Sequence, residues 1–364
     1  LKKGENIMAN KKTAFVLSGG GLRGCFQVGA LKYLMEEKKI KPDIVCGIST
    51  GSLQAVGVAL GIDLENLWTK KIKKTSDVYS ACESLWTGIS LVIYYLVLNA
   101  ICAGILCIFL AIYPACIIAS VISAILFYYV FKCFIYPGIT LKSFFNLSGL
   151  KKILEKYLKN NALENSSIDL FIGSVDLMSS VLTYHAKDEI TIQEILASCA
   201  IPAMFPPVTK GNMQSVDGGV RDIAPMRIAI RNGARDIYVI MCDPFEPHPH
   251  PQKINNILDV LNRSLAIICH EIIINDIETT IRKNELTGKS RYEKIKVHVI
   301  DPDAEFMEFY SDILNVNHRI IKRGIEKGKE RAKASLDNGP VTKKRIDEIL
   351  HMISPTGESA EKEK

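Results

Sequence analysis

The chain has 364 residues, of which 48% are hydrophobic and 23% charged, with a net charge of +6 and ten cysteines. Its basic excess lacks the aromatic–basic motifs of nucleic-acid readers, so nucleic acid is not expected as a partner. Four cysteines (Cys102, Cys107, Cys116, Cys133) lie in an apolar block and the rest show no C-x-x-C or zinc-type spacing, which argues against both a disulfide framework and a metal site.

In chain order, Leu1–Lys12 is polar and expected to be disordered, with Met8 a candidate natural start. Thr13-Ala14-Phe15-Val16 reads as a strand, closed by Leu17-Ser18-Gly19-Gly20-Gly21-Leu22-Arg23-Gly24. A second short strand, Asp43-Ile44-Val45, runs into Cys46-Gly47-Ile48-Ser49-Thr50-Gly51. Gly19, Gly21 and Gly24 satisfy G-x-G-x-x-G, but a nucleotide site also needs an acidic residue ending the second strand. Asp43 stands at the wrong end, and a serine turn occupies the place instead. Gly47-Ile48-Ser49-Thr50-Gly51 has the G-x-S-x-G form that bends sharply and lifts a hydroxyl onto a helix N-terminus. The glycine loop before it can offer bare N–H groups to an oxyanion.

The next strong signal is an uncharged run of about 25 positions, Ile89–Tyr113, followed after Pro114 by a second ending at Lys132. Roughly 20 apolar helical residues span a bilayer core, so two crossings are expected within 85–139, or a re-entrant hairpin. Lys70, Lys71, Lys73 and Lys74 precede the block, and Lys132, Lys142, Lys151 and Lys152 follow it. Basic flanks on both sides place both ends, and the rest of the chain, on the cytoplasmic side. Without this block about 300 residues remain, enough for one large α/β domain. Strands are expected at 168–173, 181–184, 236–241 and 295–300, with long helices at 254–282 and 309–334 and a capping box at Thr191–Glu194. The alternation predicts a mostly parallel sheet covered by helices on both faces.

A serine nucleophile needs a base. His248 and His250 sit among prolines, while His185 and His298 lie inside apparent strands, so no histidine is singled out. Ser215-Val216-Asp217-Gly218-Gly219-Val220 offers a carboxylate at a glycine turn, and Ala197-Ser198-Cys199-Ala200-Ile201-Pro202-Ala203-Met204-Phe205-Pro206-Pro207 precedes it. Taken together, the glycine loop, the serine turn, this Ala-Ser-x-Ala-Ile-Pro block and Asp-Gly-Gly resemble, in order and spacing, the patatin-like phospholipases. The resemblance covers about residues 13–80 and 140–300. It implies a Ser49–Asp217 dyad, an oxyanion hole along Gly19, Gly20, Gly21, Arg23 and Gly24, and no metal or cofactor. Gly47 and Gly51 would shape the nucleophile turn, and Gly218 and Gly219 the turn beside the base. Arg23 could either attract a phosphate headgroup or shape the loop. Asp222 departs from the asparagine of many relatives.

The expected organisation is a catalytic domain over 13–84 and 140–335, interrupted by a membrane hairpin at 85–139. A C-terminal helix and polar tail follow at 336–364. The expected activity is a membrane-associated lipid acyl hydrolase of phospholipase A or lysophospholipase type, with membrane lipids as substrate and an acyl-serine intermediate. A catalytically silent scaffold and a lipid acyltransferase remain alternatives, and association into a homo-oligomer is left open.

Overall fold

The computed structural model describes residues 11–81, 97, 122–123, 125, 128–129, 143–159, 162–246, 257–286, 294–303 and 316–353. The hairpin expected at 85–139 lies outside these residues apart from six isolated helical positions. Both chain termini and the His248–His250 loop also lie outside. Among the described residues no helix is long and apolar enough to cross a membrane.

The strands are β1 (Lys12–Leu17), β2 (Ile44–Gly47), β3 (Ser80–Ala81), β4 (Phe145–Asn146), β5 (Asp169–Asp176), β6 (Leu182–Ala186), β7 (Val208–Lys210), β8 (Met213–Asp217), β9 (Ala234–Ile240) and β10 (Lys296–Ile300). Eight of them form one sheet in the order β10-β9-β1-β2-β5-β8-β7, with β6 also paired to β5. The sheet is parallel from β10 to β5 and antiparallel beyond. Two hairpins contribute to that antiparallel end: β7 and β8 are joined only by Gly211-Asn212, with Gly211 at φ +60°, and β5 and β6 by residues 177–181. β3 and β4 pair separately, Ser80 with Asn146 and Ala81 with Phe145.

The helices are α1 (Cys25–Lys32), α2 (Thr50–Ala59), α3 (Leu64–Asn66), α4 (Ser148–Tyr157), α5 (Ile192–Ser198), α6 (Met226–Arg231), α7 (Ile257–Leu286), α8 (His318–Asn338) and α9 (Lys343–Ile353). Alternation along β1 explains why both faces of the sheet are covered. Phe15 and Leu17 enter a core with Phe26 and Leu31 of α1, Ala55 of α2 and Ile321 and Ile325 of α8. Ala14 and Val16 enter the opposite core, with Met226 of α6, Ile274 and Ile277 of α7 and Ile346 and Ile349 of α9. Of the helix expected at 309–334, positions 309–315 lie outside the described residues, and α8 itself begins at His318. Val316 and Asn317 are not helical, and the Asn317 side chain caps the first turn by accepting from the Arg319 amide at 3.0 Å.

The register of β5 positions the site. Ile172 pairs with both Gly47 of β2 and His185 of β6, while Ser174 pairs with both Asp217 of β8 and Thr183 of β6. Because a strand has two edges, β2 and β8 share the one opposite β6, meeting nearly head-on. Gly47 and Asp217 therefore fall two residues apart along β5, about 7 Å.

Candidate active site

Ser49 follows β2 and immediately precedes α2, with φ 55° and ψ −128°. A serine in this region costs of order 1–3 kcal/mol and persists only where surrounding bonds enforce it. The chain crosses itself too closely for side chains at the flanking positions. A Cβ on Gly47 would lie 2.2 Å from the Gly51 carbonyl oxygen, and one on Gly51 would lie 2.2 Å from that of Leu17. The Ser49 N–H donates to Ser198 Oγ at 3.2 Å. Its carbonyl accepts from Ser52 Oγ at 2.6 Å and from Cys199 Sγ at 3.4 Å. Its own hydroxyl caps no amide of α2, which leaves that hydroxyl free for chemistry at the positive end of a helix.

Asp217 ends β8 and is 4% exposed; Ser49 is 5% exposed. Its Oδ1 accepts from the Gly219 N–H at 2.8 Å, whereas its buried Oδ2 has no full hydrogen bond. Burial pushes the carboxyl up to about 7; the nearby Ser49 hydroxyl and the Gly219 amide oppose that rise. The hydroxyl is thus close enough to favour the charged form without closing a bond of good geometry. A carboxyl near 7 with one open acceptor suits a general base at neutral pH.

The glycine loop leaves β1 alongside. A Cβ on Gly19 would sit 3.2 Å from Ser49 Cβ and 2.6 Å from Ile223 Cδ1, so only glycine lets the loop pass this close. The Gly19 N–H is already committed to the Ile223 carbonyl at 3.0 Å. The amides of Gly20 and Gly21 enter no backbone hydrogen bond among the described residues. Of the two roles open to Arg23, the geometry favours shaping the loop. Its guanidinium pairs with Asp243, and its Nε donates to the Gly20 carbonyl at 3.3 Å. Gly24 packs on Thr50, where a Cβ would meet Thr50 Oγ1 at 2.4 Å. Below the loop, Gln27 donates to the carbonyls of Ser18 at 2.8 Å and Ile240 at 3.0 Å.

Asp222 braces the same loop from the other side. It accepts from the Tyr184 phenol and from the Ala224 amide, and burial raises its carboxyl. These bonds fix Ile223, whose carbonyl holds Gly19. Gly218 packs on β5, where a Cβ would come 2.7 Å from the Gly173 carbonyl oxygen. Three of the five described histidines are engaged elsewhere: His185 bonds Ser174 Oγ at 3.0 Å, His298 stacks on Tyr238, and His270 bonds the Phe245 carbonyl at 2.9 Å. His318 lies half-buried at the start of α8 and His351 exposed on α9.

The sequence motifs left one positioning group without a role. The end of α5 and the turn after it hold both Ser49 and Asp217, since Ser198 Oγ takes the Ser49 amide and the Ala200 carbonyl takes the Asp217 amide at 2.9 Å. Ser198→Ala removes the acceptor that steadies the strained Ser49, the candidate nucleophile. It should lower kcat about tenfold with KM little changed, equivalent to roughly 1.4 kcal/mol of transition-state stabilisation. Steady-state kinetics per folded molecule check this; an unchanged kcat would leave Ser198 with packing alone.

A family model described as patatin-like phospholipase matches residues 15–230. An uncharacterized protein, L620, of Acanthamoeba polyphaga mimivirus is 34% identical over 86 residues, covering 22% of this chain and 23% of its own. Lysophospholipase NTE1 of Kluyveromyces lactis is 22% identical over 292 residues, covering 79% of this chain but only 17% of its own. The chain therefore spans under a quarter of the length of either relative. The crystal structure of VipD from Legionella pneumophila aligns over 91% of this chain and 68% of its own, at 14% identity and a TM-score of 0.38. The family model covers more than half of the chain, including the glycine loop, the serine turn and Asp-Gly-Gly: the chain belongs to the patatin-like phospholipase family.

Proposed function

We propose that the protein is a membrane-associated lipid acyl hydrolase, of phospholipase A or lysophospholipase type, working through a Ser49–Asp217 dyad. The observation that carries the reading is a strained serine at a helix N-terminus beside a buried aspartate that has one unfilled acceptor. Ser49 Oγ attacks the ester carbonyl as Asp217 takes its proton. The carbonyl oxygen becomes an oxyanion, and the amides of Gly20 and Gly21 are positioned to donate to it; each such donor contributes about 3 kcal/mol. Collapse breaks the ester C–O bond, and the proton on Asp217 passes to the leaving alcohol. Water then attacks the acyl-serine, giving up a proton to Asp217; collapse breaks the acyl C–Oγ bond, Asp217 returns that proton to Ser49 Oγ, and the fatty acid leaves. Gly19 and Arg23 shape the oxyanion loop rather than donating to it.

Two further features favour a lipid substrate. Leu177, Met178 and Val181 at the β5–β6 turn, Met213 at the β7–β8 turn and Val220 beside the dyad are large apolar side chains left exposed. Arg221 ties two of these groups together by donating to the Ser180 carbonyl at 2.6 Å. The uncharged run at 89–131 is long enough to hold the catalytic domain at a bilayer.

A fluorophosphonate probe tests the mechanism directly. It should label Ser49 and no other serine, and the labelling rate should rise with pH and level off above about 7 as Asp217 loses its proton. Labelling at another serine, or a histidine variant that alone abolishes labelling, would overturn the dyad.

A further inference from the structure

Beside the point where the chain leaves for the uncharged segment lies a cleft of 580 Å³. Lys71, Lys74, Lys152 and Lys156 line it, with the hydroxyls of Ser76, Ser80 and Ser148. The two lysine-bearing elements are locked together. Leu150 N–H donates to the Val78 carbonyl at 2.7 Å, and Gly149 approaches so closely that a Cβ there would meet the Asp77 carbonyl at 2.6 Å. Ser80 Oγ lies 3.3 Å from Ser148 Oγ, joining the rims of β3 and α4.

One carboxylate, Asp77, also lines the cleft against the four ammonium groups, which leaves an excess of positive charge there. Asp77 Oδ2 accepts from the backbone amides of Lys73 and Lys74 at 2.8 and 3.0 Å. Glu155 faces Lys151, on the same helix but outside the cleft, at 4.0 Å. Lys156 lies over the Tyr157 ring at 6.0 Å. No ion pair involves Lys71, Lys74 or Lys152 among the described residues. Four like charges around one concavity repel each other and focus a positive potential there, which a multiply charged anion relieves. The N-terminus of the ten-residue helix α4, at Ser148 and Gly149, adds its partial positive charge to the same space.

We infer that this cleft binds a phosphate monoester, the headgroup chemistry of an anionic phospholipid, at the base of the uncharged segment. Ammonium groups act as point charges towards such a dianion, and the serine hydroxyls complete its hydrogen bonds. The choice of a lipid-borne phosphate rests on the membrane-associated reading of the protein; the cleft's geometry does not. Ser80 stands one residue before the described chain stops at Ala81 on one side of the segment, and Ser148 follows its return on the other. A headgroup held between them would fix how the catalytic domain stands on the bilayer.

Binding is read without turnover by using the full chain as Ser49→Ala in neutral detergent. Calorimetric titration with dihexanoyl phosphatidate should show one saturable site. The added pair Lys74→Gln and Lys152→Gln should weaken it at least tenfold while leaving the thermal unfolding temperature unchanged. Dihexanoyl phosphatidylcholine should show no binding that depends on these lysines. Full displacement by inorganic phosphate at comparable concentration would make free phosphate an equal ligand of the site, whereas failure to displace would assign it to lipid. Phosphatidate binding that is not saturable, or that survives the double substitution unchanged, overturns the inference.

Discussion

Asp217→Asn should yield a protein that is both inactive and more stable than the wild type above pH 7. On the proposed mechanism the activity loss follows from removing the carboxylate that takes the Ser49 proton, and about 10⁴-fold in kcat is the scale for such a loss. The stability gain follows from linkage. The Asp217 carboxyl has an ordinary value of 3.8 and is raised to about 7 in the folded protein, chiefly by burial. Between those values the folded state holds a proton that the unfolded state has lost, so stability falls as pH rises through this window. Above about 7 the folded protein carries a buried charge, at a cost of roughly 4 kcal/mol relative to pH below 4. Asparagine keeps an acceptor for the Gly219 amide and carries no charge at any pH, although its unpaired NH₂ offsets part of the gain. Thermal unfolding from pH 4.5 to 8.5 should show the two proteins diverging as pH rises, with the variant several degrees higher at pH 8. Parallel curves would mean that the carboxyl is already solvated or paired. Ser49→Ala should be equally inactive but should retain the pH dependence of the wild type, which separates the two residues' roles.

How much of this site was legible beforehand depends on whether the signal was local. Gly47, Ser49 and Gly51 reveal the serine turn because the close approach that excludes a Cβ at Gly47, to the Gly51 carbonyl, is built within five residues; the Leu17 carbonyl that excludes one at Gly51 comes from β1. Asp217 is legible as a candidate for the same reason, through Gly218 and Gly219. What brings the two together is not local. It depends on Ile172 and Ser174, which no motif marks, offering one edge of β5 to two strands of opposite direction. Ser198 escaped because its partner, the Ser49 amide, is 149 residues away. The glycine loop was legible as a unit, but not which of its amides remain open, since the Ile223 carbonyl that occupies Gly19 comes from beyond the Asp-Gly-Gly motif. Gly211-Asn212 was a readable hairpin signal flanked by strands too short to show alternation, so the antiparallel end of the sheet did not emerge from the pattern.

Removing residues 85–139 should release a folded, active catalytic domain from membranes. The ends of that segment meet in the structure: Ala81 pairs with Phe145 and Ser80 with Asn146 in an antiparallel clasp. The residues left between them, 82–84 and 140–144, are enough to close a turn without stretching either strand. Everything the dyad needs lies outside the deletion, from the glycine loop to the end of α5. The clasp does reach the site, because the Phe144 and Phe145 amides donate to the Ala203 and Met204 carbonyls at 3.0 and 2.9 Å, in the loop that follows Ser198. Tyr79 and Phe145 also pack with Phe205. The deletion must therefore preserve the clasp, and one that cut back into β3 or β4 should lose activity as well as the anchor. With the clasp intact, turnover of a small soluble ester should stay within about twofold of the full chain. Turnover of bilayer lipid should fall at least tenfold, since the local lipid concentration is lost while the chemistry is not. Sedimentation with vesicles after a high-salt wash gives the decisive reading. Surface attraction through lysines is screened at high salt, so a shortened protein that still pelleted would contain a second apolar anchor outside 85–139. Equal loss on both substrates would mean instead that the segment builds part of the acyl-chain site.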